Sequence, residues 1–95
     1  MMYRVELTED ALRSLAQQGR CTAAFLMGWL RKNLEACTDP RRHGRALFPD
    51  HAAFWQYRIG SYRFLAILQD TRIRIFALHT AQDTIATSRQ PEVLP

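Results

Sequence analysis

The segment Tyr62-Arg63-Phe64-Leu65-Ala66-Ile67-Leu68 constrains the chain more than any other. It is almost continuously apolar, yet far shorter than the roughly 20 residues that span a bilayer. Such a run suits a central β-strand covered on both faces. Gly60-Ser61 before it and Asp70-Thr71 after it read as tight hairpin turns. Phe54 to Ile59 and Arg72 to Leu78 are then the partner strands of an antiparallel meander. Arg63 is the odd residue in this strand. A guanidinium without a partner is costly to bury, so Arg63 meets an acid or opens into a solvated, anion-binding concavity.

The first 40 residues have a different texture. Tyr3-Arg4-Val5-Glu6-Leu7 alternates in polarity and reads as a short strand. Thr8 follows as an N-cap, with Glu9 and Asp10 in the first turn, where the helix dipole favours acids. Leu12, Leu15 and Ala16 share helical spacing, so a first helix is expected from Glu9 to Gln18, ended by Gly19. A second is expected from Thr22 to Cys37, with Ala23, Leu26, Met27, Leu30 and Leu34 as its apolar stripe. Phe25 and Trp29 widen that stripe and read as helix-packing core, and Asp39-Pro40 stops the helix. Arg41 to Asp50 reads as a polar, basic connector containing Gly44 and Pro49. Ala81 to Pro95 shows no strong period and reads as a short element with a tail frayed from about residue 86.

Strand, helix, helix and meander make a two-layer α+β domain, an N-terminal strand and helical hairpin packed on an antiparallel sheet, because the helices can bury their stripes only against one face of the sheet. At 95 residues the chain is expected to form a single domain over residues 1–95. No apolar run is long enough for a membrane span, and Met1 to Asp10 has no apolar signal-peptide core. Cys21 and Cys37 are too few and too separated for a zinc site. A cytoplasmic protein without metal, cofactor or membrane partner is therefore expected.

Charge narrows the partners. The formal net charge is +4, but residues 1–40 carry five basic groups against five acids. Residues 41–75 carry Arg41, Arg42, Arg45, Arg58, Arg63, Arg72 and Arg74 against only Asp50 and Asp70. Twelve of the 13 basic residues in the chain are arginine, the side chain suited to bidentate phosphate or carboxylate contact. A polyanion or an acidic protein is thus favoured over a neutral small molecule. On the first strand of the meander, Phe54, Gln56 and Arg58 share one face, and Arg63 lies close to Arg58 across the hairpin. Arg72 and Arg74 share a face of the third strand. His43 and His51 flank the connector and His79 ends the last strand; a histidine there can serve as general acid or base. Their spacing matches no metal-ligand pattern, and no phosphate-binding glycine loop or nucleophile elbow is present.

Two stretches carry a family resemblance. Asp39-Pro40-Arg41-Arg42-His43-Gly44-Arg45-Ala46-Leu47, then Phe54-Trp55-Gln56-Tyr57-Arg58-Ile59-Gly60-Ser61-Tyr62-Arg63, resemble the connector and hairpin of the RelE/ParE superfamily of bacterial type II toxins. Tyr3-Arg4-Val5 and the helical pair fall in register as well, so the likeness extends over almost the whole chain. The resemblance implies a toxin neutralised by a cognate acidic antitoxin. RelE-like members cut mRNA in the ribosomal A site without metal, by attack of a ribose 2′-hydroxyl on the adjacent phosphate. By position, Arg63 matches the sheet arginine that stabilises the transition state, Arg45 a basic residue before the hairpin, and His79 a histidine after the last strand. Arg41, Arg42, His43, Arg58, Arg72 and Arg74 are then the expected nucleic-acid contacts. ParE-like members share the fold but poison DNA gyrase. That alternative draws on Thr80-Ala81-Gln82-Asp83-Thr84-Ile85-Ala86, which lacks the arginine and tyrosine that nuclease members commonly carry there.

Overall fold

A computed structural model describes residues 2–80. The strand β1 (Arg4–Leu7) leads into helices α1 (Glu9–Ala16) and α2 (Arg20–Asn33). A 3-10 turn over Pro40–His43 precedes strands β2 (Arg45–Phe48), β3 (His51–Ile59), β4 (Tyr62–Gln69) and β5 (Arg72–Thr80). The architecture is α+β, as the sequence implies. The expected structure of Ala81 to Pro95 lies outside the described residues.

The helices start and stop for local reasons. The Thr8 hydroxyl accepts the Ala11 amide at 3.2 Å, capping α1, and Glu9 and Asp10 follow in its first turn. Both helices are shorter than their apolar spacing predicts. Gly19, at φ 93, turns the chain directly into α2. Proline does not end α2; Ala36 does, with a left-handed φ of 63, while its amide bonds to Tyr3 O. The segment after α2 is thereby tied to the residues before β1, since Tyr3 N also donates to Cys37 O at 2.8 Å.

The five strands form one mixed sheet in the order β1-β5-β4-β3-β2. Two sequence expectations are corrected here. The sheet is not wholly antiparallel, because β1 pairs parallel with β5, Val5 opposite Ile73 and Leu7 opposite Ile75. The connector is not irregular throughout either. Arg45–Phe48 is the edge strand β2, paired antiparallel with a β3 that begins at His51 rather than Phe54. Charge and proline hid this pairing, because an edge strand tolerates both.

β4 takes the central position expected of it. Its two-residue turns put left-handed backbone at Gly60 (φ 62) and at Asp70 (φ 53), and aspartate is among the few side chains that accept that conformation. Phe64, Ala66 and Leu68 face the helices and join Tyr57, Ile59, Ile73, Ile75 and Leu78 in the core. Ala11 and Leu15 from α1 and Leu26, Leu30 and Leu34 from α2 close it. Phe25 is not part of this core: it is 62% exposed, whereas Trp29 packs against the core as expected. Leu65 is also buried but stands apart from that cluster, on the sheet face opposite the helices.

Candidate functional site

Alternation along β3 separates two faces. Trp55, Tyr57 and Ile59 turn to the helices, leaving Phe54, Gln56 and Arg58 on the other side. The register carries that face across the sheet: Arg58 is opposite Arg63, Arg63 opposite His79, and Arg45 opposite Gln56. Strands stand about 4.8 Å apart, so Arg58, Arg63 and His79 form a row roughly 10 Å long.

Beside this row is a cleft of about 410 Å³, lined by Arg42, His43, Gly44, Arg45, Gln56, Arg58 and Arg63. Among the described residues, no carboxylate lines it. Arg42, Arg45 and Arg58 are exposed, Arg63 is half-buried, and neither Arg45 nor Arg58 forms an ion pair among the described residues. Gln56 organises the floor. Its Oε1 accepts from Arg63 Nη1 at 3.3 Å and its Nε2 donates to Ala46 O at 3.2 Å, fixing one guanidinium against β2. Several cations around one concavity attract an anion strongly, and guanidinium forks suit the paired oxygens of a phosphate.

The wall supplied by the 3-10 turn is held from below. The Tyr57 hydroxyl, fully buried, donates to Pro40 O at 2.9 Å, and burial raises its pKa above the ordinary phenol value. Trp29 of α2 touches both the Tyr57 and His43 rings, with centroids 6.2 and 6.4 Å away. Gly44 brings the turn onto β3: a Cβ there would collide with Gln56 O and come within 2.8 Å of Tyr57 Cδ1. Only glycine permits so close a backbone approach.

Of the residues expected from sequence, Arg42, His43, Arg45, Arg58 and Arg63 come together in this cleft, and His79 stands in register beside Arg63. Arg41 does not. It turns back over the Trp55 ring, 5.6 Å from its centroid, and donates to Ala52 O at 3.3 Å. Arg72 and Arg74 lie near the opposite edge of the sheet, where both reach Glu6 of β1 at 3.7 Å. Glu6 opposes Arg74 because β1 is parallel to β5, a pairing that the local pattern of β5 cannot reveal. Gln56 and Gly44 were not among the expected functional residues. The alternation of β3 already placed Gln56 beside Arg58, and Gly44 stood between two basic residues of the connector.

No family model and no curated protein sequence matches the chain. Solved structures do. One is the toxin–antitoxin complex RelBE2 from Mycobacterium tuberculosis, with TM-score 0.72 and 26% identity over 84% of this chain and 92% of that one. A double arginine-to-alanine mutant of the Escherichia coli toxin RelE, in the free state, matches over 100% of both chains, with TM-score 0.64 and 18% identity. The protein HP0894 from Helicobacter pylori matches over 88% of this chain and 99% of that one, with TM-score 0.54 and 15% identity. With its mixed sheet, its helical pair on one face and its arginine cleft on the other, the chain has a RelE-like toxin fold.

Proposed function

We propose that the protein is the toxin of a type II toxin–antitoxin system and acts as a ribosome-dependent, metal-independent mRNA endoribonuclease in the cytoplasm. The observation that carries this reading is the convergence of Arg42, Arg45, Arg58 and Arg63 on one cleft. In the proposed reaction a ribose 2′-oxygen bonds to the adjacent phosphorus while the bond from phosphorus to the 5′-oxygen breaks. The products are a 2′,3′-cyclic phosphate and a 5′-hydroxyl. His79, in register beside Arg63, accepts the proton of the attacking hydroxyl, and the leaving 5′-oxygen takes up a proton from that imidazolium or from solvent water. Arginine stays protonated, so Arg63 and Arg45 serve as fixed cations for the charge that builds on the phosphorane.

The solved neighbours do not favour the gyrase alternative, because the named toxins among them are RelE proteins. A complex with an antitoxin among those neighbours supports an antitoxin partner here, and the basic face calls for an acidic one. The deciding test is Arg63→Glu expressed beside the wild type, with pulse labelling of protein and DNA synthesis. Wild type should halt protein synthesis within minutes and yield cleaved ribosome-bound mRNA; Arg63→Glu should do neither while keeping its circular dichroism. Undiminished toxicity of the variant, or arrest of DNA synthesis first, would overturn the reading.

A further inference from the structure

The cleft occupies only one end of the sheet face opposite the helices. Further along the same face, four aromatic rings form a continuous group. Phe48, His51 and Phe54 meet edge to face in all three pairings, with centroids 5.5 to 6.2 Å apart. Phe76 joins through Phe54 at 6.2 Å. Phe76 is available because the register slips between Leu65 and Ala66, leaving it as the extra residue of a bulge on β5. None of the four belongs to the helix-facing core or packs against it. Phe48 is 45% exposed, a costly placement for a large apolar ring unless it meets something.

Two continuities identify the occupant. Phe54 shares a face of β3 with Gln56 and Arg58, and Phe48 lies three residues from Arg45 on β2. At about 3.3 Å per strand residue, Phe54 sits roughly 13 Å from Arg58, a short stretch of single-stranded nucleic acid. A strand whose phosphate is held by the arginines would bring a neighbouring base onto the rings. The rings read no hydrogen-bond pattern, so they suit any base through its π-face. We infer that Phe48, His51 and Phe54, supported by Phe76, form a stacking platform for an unpaired nucleobase flanking the phosphate held in the arginine cleft. This inference rests on the proposed RNA-directed function and adds a subsite to it.

The test measures fluorescence anisotropy of a short single-stranded oligoribonucleotide, and of the same strand made abasic, with the full-length protein. Phe48→Leu/Phe54→Leu keeps the apolar character and removes the π-faces. The double variant should bind the intact strand at least about fivefold more weakly than wild type, the lower end of what one stacked base contributes. It should bind the abasic strand as wild type does. Arg45→Glu should weaken both strands. If the phenylalanine variant binds the intact strand unchanged while Arg45→Glu weakens it, the platform is overturned and the cleft reading stands. If the phenylalanine variant weakens both strands equally, the rings act on the fold and the platform is again overturned. A wild-type protein that binds neither strand overturns the platform, while the ribosome-dependent reading stands or falls on the pulse-labelling test. A dimer in sedimentation that the phenylalanine variant dissolves without changing RNA affinity overturns the platform alone, because the face then belongs to a second copy.

Discussion

Tyr57 shows how much one side chain holds. Its ring is core, between Phe64 of β4 and Trp29 of α2, while its hydroxyl anchors Pro40 and so the turn that carries Arg42 and His43. Tyr57→Phe should cost about 1–3 kcal/mol, because Pro40 O then loses its side-chain donor in a buried place. The pH dependence has a definite sign. Burial raises the folded-state pKa above the unfolded value of about 10, so the folded protein holds the phenolic proton more tightly. The stability from this group is complete below about pH 10 and is lost as the pH rises above it. Urea midpoints measured from about pH 8 to pH 11, spanning the ordinary phenol range, should fall more steeply in wild type than in Tyr57→Phe, and parallel curves would exclude this role. The sequence displayed Tyr57 only as a member of an alternating strand, on the face opposite Gln56 and Arg58. The identity of its hydroxyl's acceptor, 17 residues away, is set by packing that no local pattern encodes.

At the scale of elements, what was legible depended on where each element's determinants lie. β4 was legible because its apolar run and its two turns are local, and the Thr8 cap was legible for the same reason. The parallel pairing of β1 with β5 was not, since it joins Val5 to Ile73 and other residues equally far apart in the chain. That pairing decides the fate of two arginines. Arg72 and Arg74 flank Glu6 at half-exposed positions, and such surface pairs contribute about 0–1 kcal/mol. Arg72→Ala and Arg74→Ala should therefore shift thermal stability only slightly and leave growth arrest unchanged. Loss of toxicity in either variant, with the fold intact, would extend the functional surface to this edge. β2 was missed because its four residues sit inside a connector rich in arginine and followed by Pro49, and it became a strand through the close approach that Gly44 permits.

Across the whole molecule, the two layers divide the work: one sheet face builds the core with the helices, and the other gathers charge at one end and rings at the other. The charge census located the excess in residues 41–75, and the fold then sorted it, sending Arg42, Arg45, Arg58 and Arg63 into one cleft and Arg72 and Arg74 away from it. This sorting has a measurable consequence. Each phosphate neutralised on a single strand releases counterions and contributes about −0.7 to the slope of log affinity against log salt. Removing a cleft arginine should remove one such contribution, whereas removing an edge arginine should remove none. Titrating an oligoribonucleotide between low and moderate salt, the slope for Arg58→Ala should be shallower than wild type by about 0.7, and that for Arg74→Ala should coincide with wild type. Equal slopes for all three proteins would mean that the phosphates track some other surface, because a cation that touches the strand cannot be deleted without changing the number of ions displaced.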